Sequence, residues 1–506
     1  MPPHAQGLRF HRCILPVVLG LSSLLLANAA PFHASMDTEY PPLYSISIST
    51  TPHGFTAPAR GWNSFGMQAN PRVNPSWRFD QEHILEQCDS LIGPLSDAGY
   101  IYCSVDSGWS VGDHGDKHGR IIWDKRLFDI PALANHLHKR GLRLGLYVVP
   151  GAFIADAHKT IYGTDITIAD ACSGDNGLGR CNWNFTVDGP QQWHDSVVQQ
   201  FADWGVDLIK LDYITPGSPE HGVNLPEDTS KEVIAYHRAI AKTGRPMRLD
   251  ISWKVERKLE YFDIWSTHAD TLRTDQDINN AGERKFIRWR TVQRAIDNYR
   301  QYISAHSHRD EVLTIYPDLD SLYVGNTPKI NGVSDDERFS IMSHWIASGS
   351  NLMIGSDLTN LDYTGRSILT NKDAIAVADF AATYPIRPRN PGTGMTHAKQ
   401  LQAWIGGPAP WGEVVVLLAN YGPDRGEGGF QSWMYGPRNV SVTWADLGLT
   451  GSFMVRDVWK EVELGGVGDG FNVTLREGES LLLRMIVVGA PERYEDNWTQ
   501  QEVLDF

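Results

Sequence analysis

Two short stretches of this chain pair a cation with a carboxylate at spacings that let both reach one substrate: Lys210-x-Asp212 and Arg273-x-x-x-Asp277. The first closes the apolar run Val206-Asp207-Leu208-Ile209-Lys210-Leu211-Asp212-Tyr213, and a buried strand has little reason to surface on such a pair unless the carboxylate is used. Residues two apart on a strand face the same side, so Lys210 can hold a hydroxyl and keep Asp212 ionised. Arg273 can pair with a carboxylate or a hydroxyl and set the charge nearby. Asp106, Tyr147, Ser252, Trp253, Asp320 and Asp357 stand at the ends of other predicted strands. Two carboxylates flanking a glycosidic bond are what its hydrolysis needs: one attacks the anomeric carbon, and the other gives and then retakes a proton. The plainer readings are a loop-rim salt bridge between Lys210 and Asp212 and a rim ion pair at Arg273.

Residues scattered from 106 to 320 must be gathered on one rim, and from residue 59 onward strand-like and helix-like segments alternate in a way that does this. Strands are predicted at 61–65, 100–106, 143–149, 206–212, 247–253, around Leu272, at 312–316 and at 351–354. The helical patterns that follow them lie at 81–98, 129–141, 193–204, 230–243, 255–262, 286–305, 335–348 and 371–381. Asp129 with Pro131 opens the second helix, and Gly205 closes the third. Eight such units predict an α/β fold, a (β/α)8 TIM barrel over 58–390 with its active site at the C-terminal strand ends. Over 391–489 short alternating runs at 414–418, 440–444, 453–458 and 481–485 predict a C-terminal antiparallel β-sandwich. Its expected role is structural, with carbohydrate binding as the alternative. Residues 490–506 read as an acidic tail, and 30–57 as an extended lead-in.

Arg9 and Arg12, the apolar run 13–26 and the small residues Ala27-Asn28-Ala29 have the order of a secretory signal peptide, so 1–29 is set aside from the fold. No later run approaches the ~20 apolar residues of a membrane span. The expected location is extracellular, or the lumen of a vacuole or lysosome. The net charge of -15 argues against nucleic acid or an anionic membrane as partner. In an oxidising compartment Cys172 and Cys181, which flank a polar loop, are expected to pair; Cys88 and Cys103 either pair or stay as buried thiols. Sequons at Asn184, Asn439, Asn472 and Asn497 fit a glycoprotein. No cofactor or metal is expected: the loop 112–117 lacks the bidentate Glu of a calcium loop, and His136 and His138 point to different helix faces. Asp318-Leu319-Asp320 could by itself pass for a metal pair.

Seven motifs together carry a family resemblance. They are Gly61-Trp62-Asn63-Ser64, Gly99-Tyr100-Ile101-Tyr102 through Asp106-x-x-Trp109, Gly119-Arg120, and His138-Lys139-Arg140-Gly141-Leu142-Arg143-Leu144-Gly145-Leu146-Tyr147. The others are Asp203-Trp204-Gly205-Val206-Asp207 through Lys210-x-Asp212, Arg273-x-x-x-Asp277 and Val324-Gly325-Asn326. In this order they resemble glycoside hydrolase family 27, the α-galactosidase (melibiase) family, over about 58–485. The resemblance implies Asp212 as nucleophile and Asp277 as general acid/base of a double displacement that retains configuration. It places Asp106, Tyr147, Lys210, Arg273 and Asp320 on sugar-binding positions, with Phe65 and Ser252 in the pocket wall, and so replaces the metal-pair reading of Asp318-Leu319-Asp320 by sugar binding at Asp320. Trp62 and Trp109 fall on motif positions where core packing is as good a reading as sugar contact.

The departures bear on the sugar. Where the family usually reads Asp-Asp-Cys-Trp, this chain has Asp106-Ser107-Gly108-Trp109, one acid and one cysteine fewer. Phe65 replaces a usual Trp and removes an indole donor. Ser252 replaces a common Glu, and smaller residues there are associated with room for a 2-acetamido group. The resemblance therefore implies a secreted glycosidase acting on an oligosaccharide or glycoside, with α-D-galactoside expected first and β-L-arabinopyranoside or α-N-acetylgalactosaminide as alternatives. A non-catalytic carbohydrate-binding protein is the alternative of another class; it predicts a lost carboxylate, and both Asp212 and Asp277 are present.

Overall fold

A computed structural model of the chain describes residues 42–218, 224–389 and 397–489. Eight parallel strands form its central sheet: β1 (Arg60–Asn63), β2 (Tyr102–Val105), β3 (Arg143–Val148), β4 (Val206–Leu211), β5 (Arg248–Ile251), β6 (Thr271–Arg273), β7 (Tyr316–Asp318) and β8 (Leu352–Ile354). Seven pairs are in register, from β8 on β1 round to β6 on β7. The remaining seam closes through Leu322, whose N–H donates to Met353 O at 2.7 Å and whose carbonyl accepts from Gly355 N–H at 3.0 Å. A helix follows each strand: α1 (Gln81–Asp89), α2 (Ile130–His138), α3 (Pro190–Trp204), α4 (Ser230–Thr243), α5 (Leu259–His268), α6 (Trp289–Ala305), α7 (Asp335–Ala347) and α8 (Lys372–Ala381). This is the (β/α)8 barrel that the alternation predicts.

Local chemistry explains why these elements start and stop where they do. Asp129 caps α2 by accepting from Ala132 N–H at 3.0 Å, and Gly205 ends α3 in the left-handed region at φ 87°. Gly61 is needed in β1 because a Cβ there would lie 2.1 Å from Tyr102 O on β2. The helix expected over 81–98 is broken, since Gly93 at φ 94° and Pro94 end the first piece and start a short turn at Pro94–Asp97. The helix expected over 255–262 lies later, as α5. The strand expected over 312–316 also divides: Glu311–Leu313 pairs with Ile46–Ile48 outside the barrel, and β7 begins only at Tyr316.

Beyond the barrel, β9 (Arg387–Pro388), β10 (Leu401–Gly406), β11 (Glu413–Asn420), β13 (Phe453–Asp457), β14 (Val462–Val467) and β16 (Ser480–Val487) form a six-stranded antiparallel sheet. It faces the two-stranded ribbon of β12 (Arg438–Thr443) and β15 (Gly470–Leu475) across a core that includes Val416, Leu447, Val455 and Met485. The sandwich packs on α7: Ser340 Oγ donates to Gly478 O at 2.6 Å, and Trp459 Nε1 donates to Ser343 Oγ at 2.8 Å. Disulfides join Cys172 to Cys181 across a short hairpin and Cys88 on α1 to Cys103 on β2, which resolves the choice left open for the second pair. Asn439 and Asn472 lie on the outward face of the ribbon. Asn497, the signal segment 1–29, residues 30–41 of the lead-in and the tail 490–506 lie outside the described residues. No helix among the described residues is long and apolar enough to cross a membrane.

Candidate active site

Alternation along the strands decides which residues reach the rim. On β4 the residues Leu208, Lys210 and then Asp212 follow one another on the inner side, and on β5 Arg248, Asp250 and then Ser252 do the same, with Lys210 in register with Asp250. Lys210 Nζ donates to Asp106 Oδ2 at 2.8 Å, joining the ends of β4 and β2. Its ammonium also lies 5.5 Å from the Phe65 ring centre and 5.6 Å from that of Tyr147, within cation–π reach. Ser252 Oγ donates to Asp212 Oδ1 at 2.8 Å, and Tyr213 N–H donates to the same oxygen at 2.9 Å. Tyr213 adopts φ 60°, an unfavourable conformation for a residue with a Cβ.

Across the rim, Arg273 holds two acids with one nitrogen: Nη2 lies 2.8 Å from Asp277 Oδ1 and 3.0 Å from Asp320 Oδ2. Arg273 is 2% exposed, whereas a third of the Asp277 side chain faces solvent. Asp320, at φ 80°, also accepts from Ile278 N–H at 2.7 Å through Oδ2 and from Ser321 N–H at 2.6 Å through Oδ1. The loop bearing Asp277 is fixed from α6, where Arg294 Nη2 donates to Asp277 O at 2.7 Å and Nε to Asp275 Oδ2 at 2.8 Å.

These contacts set the ionisation of the rim. Removal from water pushes the Asp212 carboxyl up, Lys210 pulls it down, the neighbouring Asp277 pushes it up again, and the Ser252 hydroxyl opposes that. Burial would drag the Lys210 ammonium down, but Asp106 and Asp212 hold it above its ordinary value. Burial and the charges of Asp212 and Asp106 raise the Tyr147 phenol, so it stays a neutral donor. Burial pushes Asp320 up to about 6 against the pull of Arg273.

Beneath the rim lies a layer that strand-end reasoning did not reach. TIM-barrel interiors are usually filled by bulky branched side chains, but here Lys210, Asp250, Arg273 and Asp318 line a small space of about 20 Å³. Asp250 Oδ1 and Arg273 Nε are buried there with no hydrogen-bond partner among the described residues, in room enough for one water. Burial and then the charge of Asp318 raise the Asp250 carboxyl well above its ordinary range, and burial raises Asp318 as well. Asp250 shows in the sequence only as an acid inside the apolar strand 247–253; that interruption was the available signal.

The structure thus brings Asp106, Tyr147, Lys210, Asp212, Ser252, Arg273, Asp277 and Asp320 to one face, with Phe65 beside Lys210. It places the two motif tryptophans and the strand-end residue Asp357 elsewhere. Trp62, 0% exposed, donates Nε1 to Ser356 O at 3.0 Å, and Trp109, 1% exposed, donates to Tyr147 O at 2.8 Å, so both are core. Asp357 accepts from Gln87 Nε2 at 2.8 Å and Asn74 Nδ2 at 3.0 Å and ties loops together. In the loop 112–117, Asp113 pairs with His114 and Asp116 with Arg120. No group of three or more His, Cys, Asp or Glu suited to a metal ion occurs among the described residues.

Comparison with known proteins gives the site its context. The sequence pattern of the family described as α-galactosidase A matches residues 60–171 and 174–379, and that of the α-galactosidase C-terminal β-sandwich domain matches 398–485. The chain is 47% identical over 455 residues to α-galactosidase 3 of Hypocrea jecorina, covering 88% of this chain and 73% of that protein. It is 41% identical over 416 residues to putative α-galactosidase 8 of Emericella nidulans, covering 80% and 82%. Among solved structures, a family 27 β-L-arabinopyranosidase from Geobacillus stearothermophilus shares the fold at TM-score 0.70 and 21% identity over 86% of this chain and 98% of that one. α-Galactosidase I from Mortierella vinacea does so at TM-score 0.61 and 21% identity, over 86% and 98%.

Proposed function

The chain belongs to the α-galactosidase A family of glycosidases, and from that premise we propose that it is a secreted, retaining α-galactosidase with Asp212 as nucleophile and Asp277 as general acid/base. The observation that carries this reading is the division of labour on the rim. Asp212 is held by Lys210, Ser252 and Tyr213 N–H, whereas Asp277 is bound through one oxygen to Arg273 and a third of its side chain faces solvent, as suits a group that exchanges protons with a leaving group and then with water. In the first step a carboxylate oxygen of Asp212 bonds to the anomeric carbon while Asp277 protonates the departing glycosidic oxygen. In the second, Asp277 takes a proton from water, the water oxygen bonds to the same carbon, and the bond to Asp212 breaks. Lys210, Asp106, Tyr147 and Asp320 supply donors and acceptors to the sugar hydroxyls, and Arg273 keeps the acids from repelling one another. The leader segment and the two disulfides support an oxidising destination, with glycans at Asn184, Asn439, Asn472 and Asn497.

Galactose is favoured by the names of the two relatives above 40% identity. A β-L-arabinopyranoside is the second reading, favoured by Ser107 in place of the second acid after β2. Ser252 gives little support to an N-acetylgalactosaminide, because it is fully buried and its hydroxyl is spent on Asp212. The test is turnover of nitrophenyl α-galactoside, β-L-arabinopyranoside and α-N-acetylgalactosaminide, with Asp212→Asn and Asp277→Asn alongside and the first-formed anomer read by NMR. Turnover of α-galactoside with α-galactose appearing first, lost in both variants, supports the reading; absence of turnover on all three sinks it.

A further inference from the structure

The sandwich loop 421–436 exposes large apolar side chains on a rigid frame. Trp433 is 77% exposed, Tyr435 59% and Met434 39%, yet the backbone that carries them is pinned. The Asp424 carboxylate accepts from the N–H groups of Gly426, Gly428, Phe430 and Gln431 at 2.7–3.1 Å. Gln400 Nε2 donates to Met434 O at 2.7 Å, and its other amide atom accepts from Ser432 Oγ. Leaving a Trp and a Tyr in water on an ordered loop is the mark of an interaction site rather than of packing.

The anchoring shows where the loop lies. In a (β/α)8 barrel a helix begins at the catalytic face, and the loop is tied to the first two turns of α6. Trp289 Nε1 donates to Tyr421 O at 2.8 Å, Gln293 Nε2 to Pro423 O at 3.2 Å, and Arg294 Nη1 to Glu427 Oε2 at 3.0 Å. That same Arg294 donates to Asp277 O at 2.7 Å. One side chain therefore links the aromatic loop to the loop of the acid/base.

We propose that Trp433 and Tyr435 form a sugar-stacking platform beside the catalytic rim, which binds the pyranose rings of a longer glycoside whose terminal residue enters the barrel. The occupant is a carbohydrate chain because the loop that carries the patch is tied by Arg294 to the Asp277 loop of a glycosidase rim, and flat aromatic faces suit the apolar face of a pyranose. The inference rests on the glycosidase reading and gives the sandwich a role in substrate binding besides packing.

The experiment compares wild type with Trp433→Ala/Tyr435→Ala on a nitrophenyl α-galactoside and on galactomannan, with electrophoretic retardation in galactomannan gels as a binding readout and light scattering for mass. The expected result is unchanged kinetics on the small substrate, a rise in KM of about tenfold on the polymer from two lost stacking contacts, and loss of retardation. Equal behaviour of the two proteins on both substrates and in the gels overturns the platform. So does conversion of a dimer to a monomer with polymer kinetics unchanged, which makes the patch a face between two copies. If wild type cleaves no glycoside, the functional reading fails instead, and retardation still decides whether the aromatic pair binds polysaccharide.

Discussion

Replacing Lys210 by Met tests the electrostatics of the rim. The side chain keeps its length and loses its charge, which leaves Asp106, 1% exposed and 2.8 Å from Lys210 Nζ, without its counter-ion. Removing one partner of a buried ion pair costs about 3–5 kcal/mol, which for a chain of this length lowers the unfolding temperature by about 4 °C. The effect on chemistry is separate. Lys210 is the group that most lowers the Asp212 carboxyl; without it, burial and Asp277 push that carboxyl higher still, so the acid limb of the kcat/KM profile moves to higher pH. At pH 5 the loss should reach about 10²–10³-fold, and it should shrink as pH rises and Asp212 ionises. Asp106→Asn/Lys210→Met should recover part of the unfolding temperature, since the buried charge is gone, while its acid limb stays displaced. Calorimetry and full pH profiles on all variants are the assay. An acid limb that does not move in Lys210→Met would refute the reasoning, because some other group would then be holding Asp212 ionised.

Asp250→Asn should leave kcat/KM and the acid limb within about twofold of wild type, because an amide resembles the neutral carboxyl that burial favours there; a downward shift of the acid limb would mean that Asp250 is ionised in the working enzyme. Asp320, held up to about 6, should make its contribution to stability fully below the ordinary carboxylate range and lose it as pH rises through about 6. Asp320→Asn should therefore gain on wild type in unfolding temperature between pH 5 and pH 8. His237 and His344, both pushed down to about 4 by burial, work in the opposite sense and lose stability as pH falls through the ordinary histidine range, so the difference between the two proteins is the quantity to measure. Glu427→Gln loosens Arg294 and through it the Asp277 loop; kcat should fall about threefold with KM unchanged on a small glycoside, while a raised KM with kcat unchanged would point to binding.

The alternation of segments and the residues at their ends were legible because they are local. Periodicity, a cap at Asp129 and a stop at Gly205 depend on near neighbours, and Lys210-x-Asp212 needs only the two-residue repeat of a strand to put both groups on one side. Seven family motifs then identify the reaction class. The sequence could not sort the strand ends by what they face. Asp357 stands at a strand end like the true rim residues, yet hydrogen bonds from Gln87 and Asn74 make it a loop support, and the choice between core and sugar contact for Trp62 and Trp109 falls to core through their bonds to Ser356 O and Tyr147 O.

Contacts between distant residues were equally invisible. The pairing of Cys88 with Cys103 depends on α1 lying against β2, and the split of the 312–316 segment depends on Ile46–Ile48 claiming Glu311–Leu313 as its partner. The buried carboxyls of Asp250 and Asp318 acquire meaning only once closure of the barrel brings them together with Lys210 and Arg273, and the sandwich loop is tied to the Asp277 loop through Arg294. Residue types and spacings along a strand fixed the chemistry that is possible; the low dielectric and the close approach of residues more than a hundred positions apart, which set each charge and choose its partner, arise only when the barrel closes.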